Sequence, residues 1–413
     1  MFQRYANGLI WCMILFLGTC GVAAADEYHY SNLLIGDRAT GMGGAYTAIS
    51  DDPTGLYYNP AGIVYSTGRN LSASVNAFYN QDKKYSNVIG GNGWTRSSSS
   101  LLPNYFGVTQ PLGRFQFGFS YAVPDSISES QDQAFYGSIP TSLGSPAAKY
   151  VINFNNEDNT YLVGPSLATE INSNLSVGMT LYLHNRQNRT VLNQLVTLEN
   201  GKSEWTNQYM TLVERGLKPI LGVMWTPMEK VTFGFGLAKT YLYGNSKTNL
   251  VSEKLSSSSD VTWTESGSSV KRKFPYELRA GVAYFASNSL LVSLDGTYYT
   301  KVTDPEYGDR VQVFNAAIGT EYYLNRNWAL RGGLFTNMAN TPKLDSTRTD
   351  QLEKVDLYGG TLSISNFTRN TSVTLGGSLS KGSGNAQLIG SSTNIQHVEA
   401  NGWMIFLSSS YSY

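Results

Sequence analysis

Long apolar runs, cysteines beyond residue 20 and any surplus of charge are all missing from this 413-residue chain. Past the first 25 residues no apolar stretch is long enough for a membrane-spanning helix, which excludes a helical membrane protein. Both cysteines, Cys12 and Cys20, lie near the start, so the rest of the chain has no disulfide or thiol chemistry. The 30 basic residues balance the 30 acidic ones, and without a basic excess we expect no nucleic-acid partner.

Patterns typical of catalytic or metal sites are missing as well. His29, His184 and His397 are scattered along the chain, with no Glu or Cys at metal-ligand spacing. Ser378–Lys381 matches the Ser-x-x-Lys spacing, but it lies in a strand-like pattern rather than at the start of a helix. We therefore expect no enzyme activity, no metal site and no cofactor.

The first 25 residues have the pattern of a secretory signal peptide. Arg4 supplies the positive charge, Leu9–Leu17 the apolar core, and Ala23–Ala25 a small-residue cleavage site before Asp26. The predicted domain division begins with this segment, residues 1–25, and the protein is expected to be exported.

The remaining composition favours a transmembrane β-barrel. Only 15% of residues are charged, whereas 13% are aromatic, and the chain contains 28 Tyr and 41 Gly. Charge is too sparse for a typical soluble surface. A barrel explains the low charge and the absence of long apolar runs together, because lipid-facing residues alternate with lumen-facing ones.

Alternation of side chains and the spacing of turns agree with this class. Apolar and small or polar residues alternate in segments 114–122, 174–184, 230–239, 314–324 and 373–379. Short joints alternate with long polar stretches; the joints lie at 112–113, 172–173, 227–228, 287–288, 325–326 and 368–369, and the polar stretches are 80–102, 124–159, 188–216, 243–271, 302–308, 338–353 and 382–400. The pattern predicts an antiparallel barrel of about 14 strands over residues 69–413, with periplasmic termini, short periplasmic turns and long external loops.

Aromatic residues mark the predicted ends of the strands. Trp403 and Tyr411 belong to an alternating final strand that reaches Tyr413, and a terminal aromatic of this kind resembles the signal read by the outer-membrane assembly machinery. We expect interfacial girdles that include Tyr105, Tyr161, Trp225, Tyr241, Tyr276, Tyr322 and Trp328.

Residues 36–65, GDRATGMGGAYTAISDDPTGLYYNPAGIVY, do not alternate and do not fit a membrane strand. Gly41, Gly43 and Gly44 allow close backbone approach, and Pro53 and Pro60 interrupt any long helix. The stretch predicts a compact insert that is held by the sheet.

The same stretch resembles the N-terminal signature of the FadL/TodX family of outer-membrane transporters for long-chain fatty acids and other hydrophobic compounds. The resemblance rests on Arg38–Ala45, Asp51–Pro53 and Tyr57–Gly62. It implies that residues 26–68 form a hatch that plugs the lumen, with hatch and gating residues Arg38, Asp51, Asp52, Asn59, Pro60, Ala61 and Gly62. It also implies that movement of the hatch opens a route and that the compound is released sideways through the barrel wall.

If the apolar positions of the strands face lipid, the positions between them point into the lumen. This parity predicts six luminal charges: Glu170, Glu277, Arg279, Asp295, Glu321 and Arg331. Such charges avoid lipid and can pair with one another or with the hatch.

The predicted function is passive uptake of a hydrophobic small molecule, such as a long-chain fatty acid, across the outer membrane of a Gram-negative type of cell. The expected surroundings are outer-membrane lipid and lipopolysaccharide. Two alternatives remain open, a general porin and a barrel that acts as a scaffold for a secretion or surface complex. A plug argues against the porin but not against the scaffold.

Overall fold

A computed structural model describes residues 28–66, 68–139, 141, 145–254, 260–388 and 393–413. The predicted signal peptide lies outside the described residues. The described residues begin with a mostly irregular stretch, residues 28–66, which is here named the N-terminal segment. All the long β-strands follow it.

The strands form one closed antiparallel sheet, in which the last strand pairs with the first. They are β1 Asn70–Ile89, β2 Asn92–Leu112, β3 Phe115–Ile139, β4 Ala147–Asn172, β5 Leu175–Leu198, β6 Ser203–Met228, β7 Val231–Ala238, β8 Tyr241–Lys254, β9 Thr262–Ser268, β10 Glu277–Ser287, β11 Leu290–Tyr299, β12 Val313–Asn325, β13 Trp328–Asn337, β14 Lys354–Phe367, β15 Thr371–Ala386 and β16 Gln396–Ser412. β7 and β8 both pair with β6 and continue one another, and β9 and β10 likewise form one interrupted strand. Within the described residues the wall therefore contains fourteen strands, which confirms the predicted fold class and count.

The N-terminal segment contains three short helical turns. They are α1 Asp37–Gly41, α2 Gly55–Tyr58 and a 3₁₀ helix Pro60–Tyr65. α1 is followed, after Met42, by Gly43 and Gly44, whose φ angles of 67° and 87° lie in the left-handed region that glycine adopts at little cost. No helix among the described residues is both long and apolar enough to cross a bilayer.

Side-chain alternation gives the barrel a polar interior and an apolar outer band. Along β16, buried residues such as Met404 and Phe406 alternate with Trp403, Ile405 and Leu407, which are 41–48% exposed. The other strands expose Leu, Phe and Val in the same way. A surface of this kind is stable only in contact with lipid, so the barrel is built to span a membrane.

Most of the polar stretches that the sequence predicts as loops are long paired hairpins. Strands β1 and β2 continue to a turn at Gly90 and Gly91, and β5 and β6 continue to a turn near Gly201. The prediction of loops over these stretches is wrong because polar residues such as Asn156 and Asp158 alternate there too, and they point into a buried polar interior. Residues 302–308 and 338–353 contain no strand.

Two apolar clusters fill different levels of the barrel. One combines the N-terminal segment with inward-facing wall residues: Ile35, Met42, Tyr46 and Tyr58 pack among side chains that include Tyr182. The other, toward the long hairpins, is formed by wall residues such as Tyr85, Trp94, Phe135 and Phe154. The barrel thus has a packed interior at both levels.

Candidate functional site

The N-terminal segment lies inside the barrel and bonds to strands on all sides of it. Wall side chains donate hydrogen bonds to its carbonyl oxygens: Thr361 to Gly41, Thr180 to Leu56, Ser176 to Ala61, Asn104 to Leu34, Asn337 to Ser31 and Tyr105 to Pro53. These donors satisfy backbone groups that an irregular buried segment leaves without partners. Apart from its three short helical turns, the segment is therefore held in place by the wall.

Arg38 is the centre of a buried ion-pair network. Its guanidinium lies 2.7 Å from Glu321 of β12 and 2.5 Å from Asp51 of the same segment. Glu321 is fully buried and is also 3.4 Å from Arg331 of β13. Removing one partner from such a buried pair costs about 3–5 kcal/mol, because an uncompensated charge is left behind.

The network returns to the segment through two more strands. Arg331 donates a hydrogen bond to Ser365, whose hydroxyl lies 2.6 Å from that of Thr374. The Thr374 hydroxyl in turn lies 3.0 Å from the carboxylate of Asp37, in the first turn of α1. A carboxylate at a helix N-terminus also interacts favourably with the helix dipole. Four adjacent strands, β12 to β15, thus hold α1.

Asp295 of β11 binds the turn that follows α1. One of its carboxylate oxygens accepts the backbone N–H groups of Tyr46 at 2.9 Å and of Thr47 at 2.7 Å. A carboxylate with two such donors fixes the direction of the backbone as well as its position. Asp295 therefore anchors a stretch that has no regular secondary structure.

Arg279 of β10 binds the C-terminal end of α2. Its guanidinium donates to the carbonyl oxygens of Tyr57 at 2.8 Å and Tyr58 at 3.1 Å, and it pairs with Glu277. Glu277 is also 3.1 Å from Lys218. A cation at a helix C-terminus complements the carbonyl groups that have no helical partner.

The Asn-Pro-Ala-Gly stretch joins α2 to the 3₁₀ helix. The Asn59 amide donates to the carbonyl oxygens of Thr47 at 2.9 Å and Val223 of β6 at 3.0 Å, and its oxygen accepts the N–H of Ala61 at 3.2 Å. Asn59 thus connects two parts of the segment to the wall. Pro60 is the first residue of the 3₁₀ helix, where its missing N–H costs nothing. A Cβ at Gly62 would lie 2.5 Å from the Ser50 carbonyl oxygen, so this close turn requires glycine.

Glycines in the wall let the segment approach the strands. A Cβ at Gly333 of β13 would overlap the backbone of Met42, and one at Gly178 of β5 would lie 2.5 Å from the carbonyl carbon of Pro60. The neighbouring Gly332 has no heavy atom closer than 3.7 Å to such a Cβ. On β13 the segment therefore requires a small residue at position 333 and not at position 332.

The six predicted luminal charges do not all meet the segment. Glu277, Arg279, Asp295, Glu321 and Arg331 are buried and belong to the anchors described above. Glu170 follows the same parity but is exposed, two residues before the end of β4.

The predicted aromatic girdle contained one error. Tyr105 is buried and its hydroxyl bonds to Pro53, because Tyr105 sits on the inward parity of β2. Trp225, Tyr241, Tyr276, Tyr322 and Trp328 are 41–51% exposed on the outer face, and Tyr161 is half-buried.

Asp52 of the N-terminal segment has a carboxyl group whose ionisation is shifted by its surroundings. Burial raises the pKa of Asp52 to about 6; the nearby carboxylates of Asp37 and Asp51 act in the same direction, and Arg38 opposes them. Its carboxylate accepts the N–H of Thr54 at 2.7 Å. A free aspartate has a pKa of about 3.9.

We expect docking of the segment to be stronger at pH 5 than at pH 7.5. Because the docked Asp52 has the higher pKa, docking binds a proton; this contribution is complete below about pH 4 and is lost as the pH rises through about 6. Asp52→Asn should remove much of the difference, which is measured as the pH dependence of leak conductance in planar bilayers. An unchanged pH dependence in the variant would exclude Asp52 as its origin.

The wall is interrupted beside the start of the segment. Strands β2 and β3 pair over 105–112 and 115–122, but beyond these residues only Ser98 and Glu129 are paired. The carbonyl oxygen of Pro124 accepts the N–H groups of Asn32 at 3.2 Å and Leu33 at 3.0 Å. The segment therefore lies directly behind the interruption.

A cavity of about 130 Å³ separates the segment from the wall. It is lined by both apolar and polar groups, among them Leu33, Tyr58, Phe335 and Asp295. For comparison, an apolar cavity of ~150 Å³ binds a benzene molecule. Among the described residues, no group of three or more His, Cys, Asp or Glu side chains is placed to hold a metal ion.

Known proteins resemble this chain in structure and not in overall sequence. No protein-family model and no curated protein sequence matches it. A FadL homologue of Pseudomonas aeruginosa is 14% identical, covers 93% of this chain and 99% of its own, and has a TM-score of 0.67. The toluene transporter TodX of P. putida is 14% identical over 94% and 99%, with a TM-score of 0.64, and the monoaromatic hydrocarbon channel CymD is 15% identical over 93% and 99%, with a TM-score of 0.59. Identities this low establish the fold alone: the chain is a fourteen-stranded barrel of the FadL type, as the resemblance of its N-terminal segment implied.

Proposed function

We propose that this protein is an outer-membrane channel for passive uptake of hydrophobic compounds and that its N-terminal segment is the hatch that closes it. The observation that carries the proposal is the segment itself, which occupies the lumen and is fixed to strands around the whole wall. A general porin needs an open aqueous lumen, whereas this barrel is packed at two levels.

The proposed location follows from the outer surface and the connections. The apolar outer band requires a bilayer, and closed barrels cross the outer membrane. The short turns share one end of the barrel with the C-terminal residue Tyr413, so this end is assigned to the periplasm. Residues 1–25 would direct export, residues 26–68 would form the hatch, and Tyr413 would be read by the assembly machinery.

The proposed substrates are hydrophobic molecules that cross the lipopolysaccharide layer poorly. The fold neighbours described as a toluene transporter and a monoaromatic hydrocarbon channel support this class. The cavity of about 130 Å³ has room for one aromatic ring, but an extended long-chain fatty acid needs several times that volume. Passage of a fatty acid would therefore require the hatch to move.

Hatch movement would open the interruption between β2 and β3. Asn32 and Leu33 bond to Pro124 at this place, so displacement of the segment uncovers the gap in the wall. An apolar compound leaving by this route would enter the bilayer without crossing water, which is favourable by about 25 cal/mol for each Å² of apolar surface.

Uptake and conductance together test the proposal. Gram-negative cells with an intact lipopolysaccharide layer should take up labelled toluene or palmitate faster when they produce the protein, in a saturable manner. The purified barrel should show little ion conductance in planar bilayers, because the lumen is closed. Large steady conductance would identify a porin, and absence of uptake with stoichiometric capture of proteins would identify a scaffold.

A further inference from the structure

The wall has a second interruption, far from the one between β2 and β3. Strands β7 and β10 pair as far as Ala238 and Glu277, and β8 and β9 pair again only from Lys247 and Ser268. The residues between these pairs, 239–246 and 269–276, have no backbone pairing with one another. This opening is here named the side window.

One side of the window, residues 269–276, is bonded to the chain that follows β11. The N–H of Lys273 bonds to the Asp304 carboxylate at 2.9 Å, and the N–H of Tyr276 bonds to the Thr300 hydroxyl at 3.0 Å. Residues 269–276 are therefore bound mainly to the stretch that follows β11. Across the window the Asn245 side-chain amide donates one hydrogen bond to the Val270 carbonyl oxygen. The window is part of the folded structure.

The outer side of the window carries a concentration of positive charge. The pocket there, of about 440 Å³, is lined by five basic residues and no acidic one. The basic residues are Lys239, Lys271, Arg272, Lys273 and Lys301. Among the described residues no carboxylate lies within 4 Å of the amino groups of the four lysines; Arg272 alone is paired, at 2.9 Å from Glu214.

The window stands at the border of the apolar outer band. Lys239 lies over the ring of Tyr276 at 4.0 Å, and Tyr241 and Tyr276 are about half exposed. Exposed tyrosines of this kind lie at the level of lipid headgroups. The window is thus at the headgroup level of the leaflet opposite the short turns.

A groove in the lipid-facing surface begins directly below the window. Its lining includes Leu237 and Leu278, which are directly paired on β7 and β10, together with Phe235, Leu294 and Phe314. The volume of the groove is about 1050 Å³. Lys239 and Tyr276 are two residues further along the same strands. A molecule with a negative head and apolar chains would therefore contact both features at once.

We propose that the side window binds the phosphorylated headgroup of a lipid in the outer leaflet, with its acyl chains in the groove below. Charge selects the ligand: four lysines that are not paired with a carboxylate, together with Arg272, attract a multiply charged phosphate head more strongly than a zwitterionic one. The pocket shares Lys239, Thr240 and Arg272 with a cavity inside the lumen, so the bound headgroup would also cover this opening. The site rests on the outer-membrane location proposed above.

Binding of diphosphoryl lipid A to the purified full-length barrel in detergent tests this site. Native mass spectrometry should find one retained lipid per barrel, with affinity that falls as salt increases. The triple variant Lys271→Gln, Lys273→Gln, Lys301→Gln should bind at least tenfold more weakly. A matched variant, Lys202→Gln, Lys343→Gln, Lys381→Gln, removes the same charge from exposed positions elsewhere and should bind normally.

Three results would overturn the proposal. One is that the window variant binds lipid A as tightly as the wild type while its heat-modifiable gel mobility shows a folded barrel. Another is that the matched variant loses as much affinity for lipid A as the window variant does. The third is tighter binding of laurate than of lipid A, which would assign the window to a carboxylate substrate. Uptake of toluene should be unchanged in the window variant. If the wild type binds lipid A but takes up no hydrophobic compound, the lipid site is supported and the proposed function is rejected.

Discussion

Gly333→Ala is expected to displace the N-terminal segment while the barrel still assembles. The added methyl group would overlap the backbone of Met42, and backbone atoms in a turn held by Asp295 and Thr361 cannot move aside locally. Overpacking of this kind typically costs about 1–3 kcal/mol, which raises the undocked population by roughly one order of magnitude or more. Leak conductance in planar bilayers should rise by a similar factor.

The neighbouring residue provides the control for this prediction. Gly332→Ala adds the same methyl group to the same strand, but on the side where the nearest atom is 3.7 Å away. The Gly332→Ala variant restricts the backbone of β13 in the same way as Gly333→Ala does. Because the added methyl group meets no close atom, leak conductance should stay at the wild-type level. Equal conductance in both variants would mean that the wall tolerates the methyl group and that the segment is not fixed by close contact at Gly333.

A disulfide between α1 and the wall is expected to stop uptake. An added Cβ at Gly41 would touch the Ser363 hydroxyl, so cysteines at these two positions are close enough to bridge, since the Cβ atoms of a disulfide are about 4 Å apart. Both native cysteines lie within the first 20 residues, in the predicted signal peptide, so the engineered pair would have no competing thiol. The oxidised form would hold α1 against β14 whatever the substrate does.

Much of this architecture could be predicted from local patterns. Alternation in segments such as 174–184 follows from the geometry of a strand with one face in lipid, and the alternation of short and long connections gives the number of strands. The inward parity of Asp295 and Glu321 follows from the same rule, since a charge cannot face hydrocarbon. These features depend on residues that are close together in the sequence, so they can be predicted from one sequence alone.

Features that depend on distant parts of the chain could not be predicted in this way. The sequence does not show that Gly222 and Gly333 must be small, because this requirement comes from Asn59 and Met42, over a hundred residues away in sequence. The sequence predicts Tyr105 as an interfacial aromatic, and only the register of β2 places it inward. The side window is of the same kind: the basic run before Pro275 is visible in sequence, but the loss of pairing opposite residues 239–246 is not.

The central claim, that the N-terminal segment must move for a hydrophobic compound to pass, is tested most directly by uptake through the Gly41→Cys, Ser363→Cys barrel. Labelled palmitate uptake by intact cells should fall at least tenfold when the pair is oxidised and return to the level of the single-cysteine variants after reduction. Palmitate uptake that is equally fast in the oxidised and reduced states would contradict the claim, because the compound would then pass a segment that is fixed to the wall.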